Sequence, residues 1–389
     1  MKKSSSIVFT GDIGFDKYMD HRWEDDDLLA PDIISFMHDS DHVIVDVEGP
    51  ISAYTQEGDA SGMRQFIHAI NPAAIRVLEH IHADIWDINN NHMLDIGDKG
   101  LLDTMKYAKA GGFKTIGAGK NIAEAAQPII LDEAGGIGIF AVGYRADKHG
   151  CFGAGEHECG CLLWDETDII RKNIDTIKST CRWCIIVCHG GEEFTSLPSP
   201  YVRQRYLSFL EMGADFVVSH HPHVPMNYET FSQKAIFYSL GNFIFDTDYQ
   251  RTQKYTDTGV ILKLKLTEDD YSFEAIGSHV ERGPQRIVKC PLPKIFTEVP
   301  KDEYEMLYPL AAQRFVECTK RQFKYLFPDQ FSNASEEDWE DHFTDPNRPE
   351  RIPGEILDFT IIYPIAQKEK EGTWKNSSLE NVKQYILSL

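Results

Sequence analysis

The segment Asp84-Ile85-Trp86-Asp87-Ile88-Asn89-Asn90-Asn91-His92 places a short apolar run directly before three asparagines and a histidine. The apolar run predicts a buried strand over 84–88, whereas asparagine is a poor strand former. A buried amide or imidazole that lacks a hydrogen-bond partner costs free energy. The segment therefore predicts a strand whose carboxyl end meets a ligand, because a cation or an anionic group would supply the missing partner.

Short apolar runs of the same kind recur along the first two thirds of the chain. They predict further strands at 7–9, 42–45, 137–142, 184–188, 215–218 and 235–239. Between them, helix-like apolar spacing predicts helices over 71–82, 100–111, 166–179 and 201–213. This alternation of strands and helices predicts an α/β core with buried strands.

The pattern changes toward the C-terminus. Two amphipathic runs, 260–266 and 271–282, predict a hairpin that closes the core sheet. Beyond residue 300 the sequence predicts a long helix, an acidic loop, a proline-rich turn and a short last helix, at 302–327, 332–341, 345–353 and 379–389. We therefore expect a core domain over 1–299 and a mostly helical C-terminal extension over 300–389 that packs on it.

The chain is strongly acidic, with a formal net charge of -22 over 389 residues. Such a surface argues against binding to nucleic acid or anionic lipid. An anionic small-molecule or polymer substrate stays compatible with it if metal ions make the site locally positive. No apolar stretch approaches the roughly 20 residues of a membrane-spanning helix, and no signal-peptide core precedes Thr10. We expect a cytoplasmic protein without direct membrane insertion.

Metal-capable or hydrogen-bonding side chains follow nearly every predicted strand. They are Asp12, Glu48, the run Asn89–His92, the run His189–Glu193, the run His220–His223, and Asn242. In open α/β sheets ligands bind at the carboxyl ends of strands. A lone Gly-Asp is usually a turn, and a lone strand-end histidine usually bonds to the backbone. The whole set instead predicts a metal site, and its oxygen and nitrogen ligands suit manganese, iron or zinc.

These motifs resemble a known family, the bacterial capsule-synthesis and poly-gamma-glutamate biosynthesis CapA proteins of the calcineurin-like metallophosphoesterase superfamily. The matching stretches run in the family's order over residues 5 to 248 and are 10–12, 45–51, 90–97, 112–117, 189–193, 220–224 and 238–246. The resemblance implies a four-layer α/β/β/α metallophosphoesterase-like sandwich. It also implies one or two divalent transition metal ions (Mn, Fe or Zn).

The resemblance further implies roles for single residues. The implied metal ligands are Asp12, Glu48, Asn91, His189, His221 and His223. Glu48 stands at the position of the carboxylate that bridges two metals, and His92 at that of a histidine that contacts substrate or leaving group. Gly14 stands where the superfamily has a further histidine ligand, so the metal of Asp12 is short of one ligand. Asp16 is the nearest carboxylate that could replace it. We expect one tight and one weaker metal.

Other residues complete the predicted site. Glu193 is expected to orient His189, because metal-bound histidines usually donate to a carboxylate or carbonyl. His92 and Glu193 are therefore the predicted catalytic residues. His220 is expected to face away from the ligands, since neighbouring residues of an extended segment point to opposite sides.

The predicted substrate-binding residues are Asn90, Asn242 and Arg145. An arginine can meet an anionic substrate through two parallel hydrogen bonds. Arg203 and Arg205 are alternatives to Arg145, and an arginine in such a position is more often an ordinary surface residue.

Two functions of different classes fit this sequence. The first is a metal-dependent hydrolase that cleaves a phosphoester, or an amide in a glutamate-rich or cell-wall polymer. The second is a non-catalytic, metal-binding accessory protein of capsule or poly-gamma-glutamate synthesis, which would work with other capsule-synthesis proteins. The resemblance supports both, and an assay of turnover would distinguish them.

Overall fold

The computed structural model describes residues 2–53, 67–145, 150–345, 359–370 and 372–389. Its strands, in chain order, are β1 Ser4–Ile13, β2 His42–Val47, β3 Ile85–Asp87, β4 Lys114–Ile116, β5 Ala118–Gly119, β6 Ile129–Leu131, β7 Ile137–Gly143, β8 Gly160–Cys161, β9 Trp183–His189, β10 Phe216–His220, β11 Tyr228–Phe231, β12 Lys234–Phe237, β13 Asn242–Ile244, β14 Thr258–Thr267, β15 Tyr271–Glu281 and β16 Arg286–Cys290.

The helices alternate with these strands and then continue alone at the C-terminus. They are α1 Pro31–His38, α2 Ile75–His80, α3 Asp98–Gly111, α4 Ile122–Ala125, α5 Thr167–Lys178, α6 Pro200–Met212, α7 Asp248–Arg251, α8 Lys301–Leu326, α9 Pro328–Phe331, α10 Glu336–Thr344, α11 Phe359–Lys370 and α12 Glu380–Leu387. Within the described parts of the chain, no helix has the length and apolar character needed to cross a bilayer. The cytoplasmic location stays a prediction.

Two mixed sheets form the centre of the fold. One has the order β16-β15-β14-β1-β2-β3-β4, with β13 also paired to β1, and the other has the order β11-β12-β10-β9-β7-β6. Strands β1, β2, β3 and β4 are mutually parallel, as are β7, β9, β10 and β12. The carboxyl ends of the parallel strands therefore share one edge in each sheet.

The sheets pack face to face through alternate apolar residues. In β1, Ile7 and Phe9 belong to the core between the sheets, whereas Val8 belongs to the core that includes Ile33 of α1. In β9, Ile185 lies between the sheets and Ile186 shares a core with the buried residues of α5. Helices thus cover both outer faces, which confirms the predicted four-layer α/β/β/α sandwich.

The C-terminal helices share a separate apolar core. Residues of α8, α10, α11 and α12 pack there together with Leu197, Ile295 and Val299. The acidic loop predicted at 332–341 is partly wrong, because α10 begins after a capping box in which Ser335 and Asp338 bond reciprocally. The turn predicted at 345–353 lies outside the described residues after Asp345. The division at residue 300 stays a prediction.

Candidate metal centre

The strand register brings the predicted polar groups together. Asp12 of β1 pairs with Asp46 of β2 on one side and with Asn242 of β13 on the other. In the second sheet, His189 ends β9 opposite His220, which ends β10. The two sheets meet at this edge, where the Nδ1 atom of His220 lies 3.1 Å from Asp12 Oδ1. The carboxyl ends of four strands therefore build one centre.

A first group of possible metal ligands consists of Asp12, Asp46 and His189, whose ligand atoms all lie within 4.8 Å of one another. The imidazole of His189 is held from both sides, because Nδ1 lies 3.1 Å from Asp46 Oδ2 and Nε2 lies 2.8 Å from Asn91 Oδ1. The residues are wholly or almost wholly buried. This group combines carboxylate oxygens with an imidazole nitrogen, as transition-metal sites do.

A second group consists of Glu48, His221 and His223, again with ligand atoms within 4.8 Å of one another. Glu48 connects the two groups, because its Oε1 atom lies 3.6 Å from His223 Nε2 and 3.9 Å from His189 Nε2. Asp12 also faces both groups, with Oδ2 at 3.1 Å from His223 Nδ1. The structure thus brings together all six predicted ligands; their metal binding stays a prediction.

The burial of these groups fits a bound cation. The side chains of Asp12, Asp46, Glu48 and Asp87 are 0% exposed. Both carboxylate oxygens of Glu48 and the Nδ1 atom of His221 are buried without a hydrogen-bond partner among the described residues. Buried carboxylates of this kind are unfavourable unless a cation or a proton compensates them. The donor set and its unpartnered atoms therefore fit one or two divalent transition metals.

The pKa values of the buried carboxylates reflect their burial and their closeness to one another. Burial raises the pKa of Glu48 well above its ordinary value, and the charge of Asp12 adds to the effect. Burial likewise raises the pKa of Asp46 to about 8. For Asp12, hydrogen bonds from His220 and His223 outweigh the effect of burial and hold the pKa below its ordinary value. A bound cation would favour the ionised form of all these carboxylates.

The prediction that His220 faces away from the ligands is wrong, and the backbone after β10 shows why. His221 and His223 adopt φ values of 94° and 57°, so the segment is not extended and its side chains do not alternate. His220 points toward Asp12 instead. Non-glycine residues in this region of φ are strained, and such strain concentrates at functional sites. Through this strained turn, His220, His221 and His223 all lie at the centre.

The prediction that Glu193 orients His189 is wrong. The carboxylate at His189 Nδ1 belongs to Asp46. Glu193 instead accepts a hydrogen bond from the Tyr249 hydroxyl at 3.0 Å and one from Gln322 of α8 at 3.5 Å. Asp46 was not predicted, because it lies 143 residues before His189 in the chain and no local pattern connects the two residues.

We expect Asp46→Asn to weaken manganese binding by about 10- to 100-fold, the usual effect of removing the partner of a metal-bound histidine. The substitution preserves side-chain size but removes the charge that fixes His189. Glu193→Gln is the matched control and should bind manganese like the unmodified chain. Calorimetric titration of both variants measures the difference. Equal affinities in the two variants would contradict the role of Asp46.

The three asparagines that follow β3, Asn89, Asn90 and Asn91, have different roles. The Nδ2 atom of Asn89 donates to the carbonyls of Gly117 and Leu162, at 2.8 and 2.9 Å, and so connects two loops. Asn90 donates to the Val47 carbonyl at 2.7 Å and accepts from the His92 backbone N–H at 3.2 Å. Only Asn91 directs its amide oxygen to the centre, where it meets His189.

The other predicted substrate-side residues have protein partners as well. The amide of Asn242 receives a hydrogen bond from His223 Nδ1 at 3.0 Å and donates to the carbonyl of Thr256. The side chain of Arg145 is 48% exposed and pairs with Asp165 and Glu166 at 2.7 and 3.0 Å. Asn90 and Asn242 are therefore placed to position neighbours of the centre. Substrate binding by Asn90, Asn242 and Arg145 stays a prediction.

The position of Gly14 is explained by a neighbouring ring. A Cβ atom on Gly14 would lie only 2.6 Å from the ring of Phe245. The Phe245 ring also lies against His223, with ring centroids 5.1 Å apart. An aromatic side chain thus fills the place of a residue-14 side chain. Asp16 belongs to neither ligand group, and its Oδ2 atom lies 2.7 Å from His68 Nδ1.

The fold and the site define a class: four-layer α/β sandwiches with a buried histidine–carboxylate centre at the carboxyl ends of their strands. Within that class, residues 6–247 match the model of the bacterial capsule synthesis protein PGA_cap family. The chain belongs to this family, as its motifs predicted.

Two relatives carry the CapA name. The capsule biosynthesis protein CapA of Bacillus anthracis is 24% identical over 282 residues, which are 71% of this chain and 67% of that protein. The PGA biosynthesis protein CapA of Bacillus subtilis (strain 168) is 28% identical over 250 residues, 64% of this chain and 65% of that protein. This chain therefore matches about two thirds of the length of each relative.

A more distant relative and one solved structure complete the comparison. A probable polyglutamine synthesis accessory protein of Mycobacterium tuberculosis is 22% identical over 216 residues, 53% of this chain and 56% of that protein. The 5'-nucleotidase of Candida albicans SC5314 aligns over 70% of this chain and 51% of its own, with 12% identity and a TM-score of 0.37. At this score the likeness supports no conclusion about function.

Proposed function

We propose that this chain is a metal-dependent hydrolase of the CapA type that acts on a phosphoester, or on an amide of a glutamate-rich or cell-wall polymer. The observation that carries the proposal is the position of Glu48. Its carboxylate is wholly buried, has no hydrogen-bond partner among the described residues, and lies within 4 Å of imidazoles from both ligand groups. A carboxylate in this position is suited to bind one or two divalent metal ions together with those imidazoles.

The residues around the centre are suited to hydrolysis. Divalent cations in such sites lower the pKa of bound water and stabilise negative charge on substrate oxygens. His92 is held by Asp95, whose Oδ2 atom lies 2.7 Å from His92 Nδ1, and this pair would hold or donate a proton at the leaving group. Asp46 fixes His189, and Asn242 fixes His223. The chain thus supplies ligands, their orientation and a candidate acid.

A panel of substrates tests the proposal. We expect the purified chain with added manganese to hydrolyse either bis(p-nitrophenyl) phosphate or a gamma-glutamyl peptide, and the rate to fall by at least about 100-fold in His189→Ala, since metal ligands act as a unit with the metal. His21→Ala, at a histidine whose side chain is 69% exposed, is the control and should keep the full rate. Elemental analysis of the same samples identifies the native metal.

The second candidate function is a non-catalytic, metal-binding accessory role in capsule or poly-gamma-glutamate synthesis. It is supported by the family and by the name of the mycobacterial relative. In that case the chain would bind manganese with the same residues but would cleave neither substrate class. Stoichiometric manganese binding without turnover on the whole panel would therefore favour this role over the hydrolase, whereas absence of manganese binding would contradict both.

A further inference from the structure

A pair of histidines lies beside the metal centre, and one of them was not foreseen. The rings of His68 and His92 meet edge to face, with centroids 4.1 Å apart. Each ring is held by its own carboxylate: Asp16 lies 2.7 Å from Nδ1 of His68, and Asp95 lies 2.7 Å from Nδ1 of His92. Asp95 also accepts the backbone N–H of His68 at 2.8 Å. The four residues therefore form one connected unit.

This unit borders the ligands on two sides. His92 directly follows Asn91, whose amide oxygen meets His189. On the other side, the Phe245 ring packs against both His68 and the metal-ligand candidate His223, at centroid distances of 5.3 and 5.1 Å. His68 and His223 thus contact the same aromatic ring.

The chemistry of His68 favours an anionic ligand. Because a carboxylate only accepts hydrogen bonds, the Nδ1 atom beside Asp16 carries the proton. The side chain is 10% exposed, and its Nε2 atom has no hydrogen-bond partner among the described residues. Burial alone would lower the pKa of His68, but the charge and hydrogen bond of Asp16 outweigh it and raise that pKa. The raised pKa favours a second proton on Nε2, and in that form Nε2 would be a charged donor without an acceptor among the described residues.

We propose that His68 is a second substrate-binding imidazole, which together with His92 binds an anionic oxygen of the substrate, phosphoryl or carboxylate, beside the metal centre. The proposal rests on the proposed function, because it assigns substrate-binding residues to that same site. Hydrogen bonds from charged donors to such oxygens are among the stronger ones in proteins. The shared Asp95 fixes the spacing of the two rings, so the pair would bind one anionic group rather than two.

Two substitutions distinguish the roles of the two ring nitrogens of His68. In His68→Asn the amide nitrogen replaces Nδ1, so the hydrogen bond to Asp16 is kept while the Nε2 donor is lost. In His68→Gln the amide nitrogen replaces Nε2, so a neutral donor is kept while the bond to Asp16 is lost. His21→Gln, at an exposed histidine, is the control. A merely structural His68 would tolerate asparagine better than glutamine, whereas a substrate-binding one would show the reverse order for anion affinity.

The experiment uses the full-length chain and calorimetry in two stages. Manganese is titrated first, and inorganic phosphate or L-glutamate is then titrated into the manganese-loaded protein. We expect His68→Asn to keep manganese affinity within about twofold and to weaken anion binding by about tenfold, the effect of losing one hydrogen bond to a charged group. His68→Gln should weaken it less. The anion that binds the unmodified chain more tightly identifies phosphoryl or carboxylate chemistry.

Three results would overturn the proposal. Unchanged anion affinity in His68→Asn would show that Nε2 does not contact the anion. Loss of manganese in that variant would show that His68 supports the metal ligands instead. If the unmodified chain bound manganese but neither anion, the proposed anion-binding role of His68 and His92 would be contradicted, whereas the metal centre would not. A chain that binds no manganese at all contradicts the proposed function first, so the two failures are distinguishable.

Discussion

Replacing Glu48 with glutamine should abolish tight manganese binding, with a loss of affinity above about 100-fold, because even partners of metal ligands contribute 10- to 100-fold. Glu48 lies within 4 Å of His189 and His223, which belong to different ligand groups. Neither of its oxygens has another hydrogen-bond partner among the described residues. Glutamine has the same shape but one oxygen and no charge, so both groups would lose their shared ligand.

A matched control for this variant is available close by. Glu192 is also buried, and burial raises its pKa to about 7, but its Oε2 atom lies 3.4 Å from the Ser199 backbone N–H rather than at the centre. Glu192→Gln should therefore bind manganese normally. Calorimetric titration and elemental analysis compare the two variants. If Glu48→Gln retained manganese as tightly as Glu192→Gln, the central position of Glu48 would have no functional meaning.

The sequence predicted the architecture because its strands are buried on both faces. Runs such as Ile137–Gly143 and Trp183–His189 contain almost only apolar residues, and they alternate with helices that are amphipathic. The short strands Ile129–Leu131 and Tyr228–Phe231 were not predicted. Both pair antiparallel with a neighbour at the edge of the second sheet, and such short edge strands carry too few residues for a clear periodicity.

The candidate site was predictable where it depends on strand ends and unpredictable where it depends on long-range contacts. The six metal-ligand candidates follow apolar runs, so the place of the site could be predicted from position, and the family resemblance singled out the six among their polar neighbours. The partner of His189 could not, because Asp46 is 143 residues away in the chain and reaches it across two sheets. His68 was missed for the same reason: its carboxylate, Asp16, precedes it by 52 residues and no local pattern connects them.

The orientation of His220 shows a further limit of pattern reasoning. The alternation of side chains holds only while the backbone is extended, and the segment leaves that conformation at His221. A sequence in which histidines occupy 220, 221 and 223 gives no sign of where the turn begins. The left-handed conformation of His221 is decided by its surroundings, which include the ring of Tyr144 at a centroid distance of 4.6 Å.

Removing divalent metal should destabilise the whole fold. When free manganese exceeds its dissociation constant about 1,000-fold, binding to the folded state alone contributes about 4 kcal/mol to the free energy of unfolding. For a chain of 389 residues this corresponds to a rise in melting temperature of about 5 °C. The physical reason is the set of wholly buried carboxylates at the centre, which includes Asp87 as well as Asp12, Asp46 and Glu48.

Thermal unfolding measures this effect in the presence of a chelator and after manganese is restored. The metal-free Glu48→Gln variant should melt above the metal-free unmodified chain, because it removes one of the buried carboxyl groups whose ionisation is opposed by burial and by its neighbours. Manganese should then raise the melting temperature of the unmodified chain far more than that of the variant. This crossing of the two stabilities is specific to a cation held by Glu48, since a purely structural carboxylate would make the variant less stable under both conditions.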